Sequence, residues 1–98
     1  MVEIIYVRDE SWNIKGISVN YAGCTDYELE VRLRMLIDAI ELALEELKAI
    51  RMKTSKLNYC EYDITRNNKN VKAMLKVFEH GVKCLEELFP AWVIVKNF

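Results

Sequence analysis

The chain has 98 residues, of which 52% are hydrophobic and 30% are charged, and its formal net charge at pH 7 is -1. This length and composition predict one globular domain, residues 1–98, and exclude a disordered chain. No apolar run approaches the roughly 20 residues of a membrane span, and the start of the chain lacks the basic segment of a signal peptide. The three cysteines are odd in number and widely spaced, which is typical of free thiols in a reducing compartment. We therefore expect a soluble cytoplasmic protein.

The first 23 residues predict a β-hairpin. Residues 2–8 are apolar on both faces, as in a central strand that is covered on both sides. A polar turn follows over residues 9–13. Ile17, Val19 and Tyr21 then alternate with Ser18 and Asn20, which indicates a second, half-buried strand.

A long helix is predicted from about Thr25 to about Lys53. Thr25 and Glu28 have the spacing of a capping box, and no Gly or Pro interrupts the segment that follows. One apolar stripe at helical spacing would face the core. A second stripe lies well over 100° away and consists of Val31, Met35, Leu42 and Ala49. Because one core uses only one stripe, the second predicts a homodimer interface.

The remaining elements are shorter. Residues 54–56 form a predicted connector, residues 57–65 a strand nearer an edge of the sheet, and residues 67–70 a turn and helix cap. A second helix is expected to end near Phe89, since Pro90 stops it, and residues 92–98 form a last strand. The predicted fold is α+β, in the order ββαβαβ. Two helices would pack on one face of a four-stranded mixed sheet.

The second helix also has an apolar arc wider than one stripe. Ala73, Val77 and Cys84 extend the arc past half of the circumference. This width supports the predicted homodimer. Contact of each helix with both the sheet and the other helix is the alternative explanation.

Basic side chains are concentrated in the second half of the chain. Residues 1–47 contain four basic and ten acidic side chains, whereas residues 48–76 contain eight basic and two acidic ones. The candidate anion-binding or nucleic-acid-binding residues are Arg66, Lys69, Lys72, Lys76 and Lys83. A solvated helix face is the alternative, and no RNP, GXXG or helix-turn-helix pattern accompanies the lysines.

Acidic residues form a corresponding face on the first helix. Asp38, Glu41 and Glu45 lie three and four residues apart, so their side chains stack on one side. They are a candidate docking face for a basic surface of another protein, or a set of charges that imitates phosphates and occupies a nucleic-acid-binding groove. The alternative is again a solvated face.

Residue patterns with catalytic meaning are scarce. His80 is the only histidine, and its spacing from Cys84 would allow both side chains to bind one metal ion. A surface histidine beside a packed cysteine is the simpler interpretation. The sequence contains no phosphate-binding glycine loop and no nucleophile motif. We therefore predict no catalytic residues, no metal site and no cofactor.

The strand hairpin, Gly23 and the capped, leucine-rich helix together resemble small accessory proteins of bacteriophages and other viruses. That resemblance implies binding and modulation, often inhibition, of a larger protein machine. The predicted function is accordingly that of a small, non-enzymatic regulatory homodimer. The alternative is a nucleic-acid or nucleotide binder that uses the face between Arg66 and Lys83.

Overall fold

The computed structural model describes residues 1–98 and contains five strands and two helices. The elements are β1 (Val2–Arg8), β2 (Ile14–Asn20), α1 (Tyr27–Glu46), β3 (Ile50–Lys56), β4 (Tyr59–Ile64), α2 (Lys69–Leu88) and β5 (Val93–Asn97). The strands form one mixed sheet in the order β3-β4-β2-β1-β5, in which β1 and β5 are parallel and the other pairs antiparallel. The predicted α+β class and broad element order are confirmed. The prediction of four strands is wrong, because residues 50–56 form a further strand.

The extra strand exists because α1 ends seven residues before its predicted end. Lys48 adopts a left-handed backbone conformation with a φ of 53°. Its N–H donates to the Glu45 carbonyl at 3.0 Å, and the Ala49 N–H donates to the Leu44 carbonyl at 2.9 Å. These two bonds form a Schellman motif, which satisfies the last carbonyls of a helix. The chain therefore leaves the helix at this point and begins β3 at Ile50.

The helix starts are set by two capping side chains. Asp26 is the N-cap of α1, and its carboxylate accepts the Leu29 N–H at 3.0 Å. The predicted cap at Thr25 is thus wrong by one residue. Asn68 caps α2 by accepting the Val71 N–H at 3.0 Å, which confirms the cap predicted within residues 67–70. Neither helix has the combined length and apolarity that crossing a membrane requires.

The strand β4 lies inside the sheet rather than near its edge. It pairs with β2 on one side and with β3 on the other, so the edges are β3 and β5. The prediction for this segment was wrong because it placed only one strand between the two helices. The β3–β4 hairpin turns at Asn58, whose φ of 62° suits an asparagine in a tight turn.

Both helices cover the same face of the sheet. The register aligns Tyr6 with Ile17 and Ile17 with Tyr62, so these buried side chains point to one side. On that side Phe78 of α2 packs edge-to-face against Tyr6, with ring centroids 6.3 Å apart. The helices also approach each other closely: a Cβ added at Gly81 would lie 2.6 Å from Leu36 Cδ1. The core is therefore a single apolar layer between the sheet and two adjacent helices.

Candidate functional site

A groove of about 310 Å³ lies between α1 and the β3–β4 hairpin. Tyr21, at the end of β2, closes one part of it. Its other lining residues are Arg34, Ile37, Asp38, Glu41, Met52, Ser55, Lys56, Leu57, Asn58, Tyr59, Cys60 and Tyr62. We call this the α1–hairpin groove. It brings phenol, carboxylate, guanidinium, ammonium and thiol groups into one concave surface, which makes it the candidate functional site.

Tyr62 and Glu41 form the central polar contact of the groove. The Tyr62 hydroxyl donates to the Glu41 carboxylate at 3.0 Å. Burial raises the pKa of Tyr62 far above its ordinary value, and the neighbouring Cys60 and Glu41 raise it further. The phenol therefore stays protonated and keeps donating at neutral pH. This bond holds the Glu41 carboxylate in the groove.

Cys60 contributes the thiol of the groove. Its side chain is buried, and burial raises the pKa of its thiol, an effect that the neighbouring Tyr62 side chain partly offsets. The thiol form is accordingly favoured at neutral pH. His80 is exposed on α2 and is not one of the residues that line the groove. The groove thus combines a protonated thiol with a phenol and a carboxylate.

Tyr21 and Arg34 form the second polar contact. The buried Tyr21 accepts a hydrogen bond at its hydroxyl from Arg34 Nη1 at 3.3 Å. Interaction with Tyr21 raises the pKa of Arg34, so its guanidinium is a permanent cation at the groove. The Tyr21 backbone N–H donates to the Asn58 carbonyl at 2.9 Å. This bond ties the end of β2 to the hairpin turn and fixes the width of the groove at that point.

The predicted interface residues divide into two groups. Val31, Met35 and Leu42 are exposed on α1 at 38%, 68% and 63%. Ala49 is fully buried and lies beyond the end of the helix, so its assignment to the exposed stripe was wrong. The reason is the early helix end at Glu46. The role of the three exposed residues stays a prediction.

The candidate anion-binding residues are all on the surface. The exposed side chains are those of Arg66, Lys69, Lys72, Lys76 and Lys83. Lys72 and Lys76 line a small pocket beside Arg8 and Trp12, where Arg8 stacks 4.8 Å from the Trp12 ring and pairs with Glu79 at 3.1 Å. Arg8 is thus already partnered, and binding of an anion by the lysines stays a prediction.

The predicted acidic face contributes to the groove. Asp38 and Glu41 line the α1–hairpin groove, whereas Glu45 is exposed outside it. Glu41 is partly buried, and one of its two oxygens, Oε2, accepts from the Tyr62 hydroxyl. The three carboxylates are therefore not one equivalent solvent-exposed row. Their role in docking stays a prediction.

The His80–Cys84 pair lies open to solvent on α2. Both side chains are exposed, so the expectation of a packed Cys84 was wrong. No three histidine, cysteine, aspartate or glutamate side chains come together as a possible metal site. Cys24, Cys60 and Cys84 are all unpaired.

Sequence reasoning did not identify the groove. Alternation along residues 59–64 puts Cys60 and Tyr62 on one face of the strand, and helical spacing puts Arg34, Asp38 and Glu41 on one side of α1. The β3–β4 hairpin brings these two sets together, and the first part of β3 was predicted to belong to the helix.

Comparison with known proteins identifies the fold. No family model matches the sequence, and no curated protein matches it. Among solved structures, the essential ribosomal processing protease Prp from S. aureus, in complex with a substrate peptide, superposes with a TM-score of 0.87 at 10% identity, over 100% of both chains. A protein from Streptococcus mutans has a TM-score of 0.74 at 19% identity, over 100% of this chain and 94% of that one. A hypothetical protein from Staphylococcus aureus has a TM-score of 0.69 at 13% identity.

These likenesses correct the function predicted from the sequence. The prediction of a non-enzymatic regulatory protein, of the phage or viral accessory type, is wrong in the light of a fold that carries a protease in S. aureus. That prediction was based on a resemblance in overall layout and on the apolar faces of the helices, and both are compatible with many activities. At 8–10% identity, the likeness to the protease establishes the fold of this chain.

Proposed function

We propose that this protein recognises an extended peptide segment as its substrate and that the peptide lies in the α1–hairpin groove. The observation that carries the proposal is the clustering of two fixed polar pairs, Tyr62–Glu41 and Tyr21–Arg34, along one concave surface. The fold adds support, because the similar S. aureus protease was solved with a substrate peptide. Binding of a peptide by this chain is proposed on the basis of that similarity of fold.

The dimensions of the groove suit a peptide better than a folded surface. Its volume of about 310 Å³ is at the lower end of small-ligand pockets, which span roughly 300–1,000 Å³. A stretch of a few residues in extended conformation fits such a space. A folded partner would have to place an equally narrow ridge in it.

The polar pairs supply what a bound peptide backbone needs. Every peptide N–H and C=O removed from water requires a hydrogen-bond partner. Glu41 and Asp38 can accept from peptide N–H groups, while Arg34 can donate to peptide carbonyls. Met52 and Ile37 offer apolar contact for alternate side chains. This combination of backbone hydrogen bonds and small apolar pockets is typical of extended-peptide recognition.

A peptide array tests the proposal. Overlapping peptides that cover the S. aureus ribosomal proteins would be probed with the wild-type protein, and binding peptides measured by fluorescence anisotropy against scrambled versions. We expect wild type to bind a subset of the peptides and Glu41→Gln to bind them at least five-fold more weakly. Gln keeps an acceptor oxygen but not the charge, and replacing a charge-assisted hydrogen bond by a neutral one costs about 1 kcal/mol, which is roughly five-fold in affinity. Mass spectrometry of the same mixtures would measure hydrolysis.

The matched control is Glu46→Gln, which makes the same chemical change on the same helix. Glu46 is exposed and does not line the groove. It should bind the peptides like wild type. The proposal would be overturned if no peptide bound more tightly than its scrambled version. It would also be overturned if Glu41→Gln and Glu46→Gln lost the same amount of affinity.

A further inference from the structure

The two helices expose an apolar face on the side away from the sheet. It consists of Val31, Met35 and Leu42 on α1 and Met74, Val77 and Leu88 on α2, all at least 36% exposed. Two shallow clefts cover part of this surface, while Leu42 and Leu88 lie outside both, and the exposed Glu28–Arg32 ion pair also lines the first cleft. One cleft runs along the first half of α1 and the other runs between the helices, and Leu36 and Ala39 line both. We call this surface the helical face.

Opposite charges border the helical face on its two sides. At 100° per residue, Asp38 and Glu45 lie next to Leu42 on the side of α1 that is remote from α2. On the remote side of α2, Lys69, Lys76 and Lys83 lie beyond Val77 in the same way, and one exposed acid, Glu87, shares this side near the end of the helix. The acidic and the basic borders are therefore separated by the full width of two helices. Within one molecule they cannot neutralise each other.

The helices are antiparallel, and one contact fixes the position of α1 relative to α2 along their axes. α1 connects β2 to β3 and α2 connects β4 to β5, and these two pairs of strands run in opposite directions. Leu36 lies against Gly81. Because the helices are antiparallel, moving five residues forward from Leu36 along α1 and five residues back from Gly81 along α2 leads to the same level. Lys76 therefore lies at the level of residue 41. Lys76 is thus about one helical turn from the levels of both Asp38 and Glu45.

We propose that the helical face binds a second copy of this chain, with α1 of one copy lying over α2 of the other. The two-fold axis would lie in the interface, parallel to the helices. Rotation about this axis keeps each level along the helices and exchanges the two sides. It therefore places the acidic border of each copy beside the basic border of its partner, while the apolar side chains meet in the middle.

The charges also exclude the other simple arrangement. A two-fold axis perpendicular to the helices would place α1 over α1, and the Asp38–Glu45 border would then meet itself. Like charges in contact disfavour that pairing. The borders thus select one of two possible dimers, and they explain why the acidic and the basic residues are segregated. This inference is independent of the α1–hairpin groove.

Sedimentation equilibrium across the micromolar range tests whether the dimer exists. Wild type should dimerise, and Leu42→Glu should raise the dimer dissociation constant at least a hundredfold, because it places an unpaired charge in the interface twice. Leu57→Glu is the matched control, since Leu57 is 87% exposed in the hairpin turn, away from the helical face. It should dimerise like wild type. A monomeric wild type at the highest concentration would overturn the inference.

A charge exchange tests the orientation. Lys76→Glu and Glu45→Lys should each raise the dissociation constant roughly tenfold at low salt, as expected for two exposed ion pairs turned into repulsions. The double variant should recover most of the affinity. If Glu45→Lys alone tightens the dimer, α1 faces α1 and the proposed orientation is wrong. Circular dichroism of each variant separates loss of dimer from loss of fold.

Discussion

Two buried tyrosines on the same face of the sheet offer a matched test of the core. Tyr6 is 3% exposed, and its hydroxyl has no hydrogen-bond partner. Tyr62 is similarly buried, but its hydroxyl donates to Glu41. An unpartnered buried hydroxyl destabilises the folded state, whereas a partnered one contributes about 1 kcal/mol. At pH 7, Tyr6→Phe should therefore leave stability unchanged or raise it by up to about 1 kcal/mol. Tyr62→Phe should lower it by about 1 kcal/mol.

The difference in stability between Tyr6→Phe and wild type should grow at alkaline pH. Burial raises the pKa of Tyr6 above its ordinary value of 10.0, and the nearby Glu79 raises it further. The folded state then keeps a proton that the unfolded state releases. The stability that this provides is complete below pH 10 and is lost as the pH rises toward the folded pKa. At pH 11 the loss from one such tyrosine is about 1.4 kcal/mol.

Urea unfolding followed by circular dichroism, at pH values from 7 to 11, measures both effects. Tyr6→Phe keeps the ring that packs on Phe78 and removes the titrating group. Relative to wild type, it should gain about 1.4 kcal/mol between pH 7 and pH 11. A difference that does not change with pH would refute the reasoning. A loss of more than 1 kcal/mol at pH 7 would show that the Tyr6 hydroxyl has a partner.

Three further predictions concern single contacts. Arg8→Met should destabilise the protein by about 2–3 kcal/mol in thermal unfolding, because the guanidinium donates hydrogen bonds to Asn97 of β5, to Glu79 of α2 and to the Trp12 carbonyl in the adjacent turn; a cost below 0.5 kcal/mol would contradict this. Asp26→Ala should cost about 1 kcal/mol by loss of the N-cap, and Thr25→Ala almost nothing, so the reverse order would restore the cap at Thr25. A thiol reagent at pH 7.5 should modify the exposed Cys84 quickly and the buried Cys60 slowly, since burial raises the pKa of Cys60. Equal rates would place Cys60 in solvent.

The hairpin, the second helix and the last strand could be predicted because their patterns are local. Alternation over Ile17, Val19 and Tyr21 marks β2, and the 3.6-residue repeat marks α2. Pro90 marks its end. The alternation and the repeat each indicate which side chains are buried, and the folded structure buries those side chains. The structure confirms them within a residue or two.

The end of α1 could not be predicted in the same way. A Schellman motif usually shows itself by a glycine at its left-handed residue, but here that residue is Lys48. Lysine is also a favourable residue near a helix C-terminus, so it read as continued helix. For this reason, residues 50–56 were not predicted to form a strand. The groove was not predicted either, because one of its two walls is the hairpin that begins at Ile50.

A nuclear magnetic resonance titration of the ¹⁵N-labelled protein with a peptide that the array identifies tests directly whether the α1–hairpin groove binds the peptide. We expect the backbone amide signals of Tyr21, Arg34, Asn58 and Tyr62 to shift together and saturably. Signals from the helical face, such as those of Val77 and Leu88, should stay in place. Shifts confined to the helical face, or no saturable shift in the α1–hairpin groove, would contradict the claim that this groove binds the peptide.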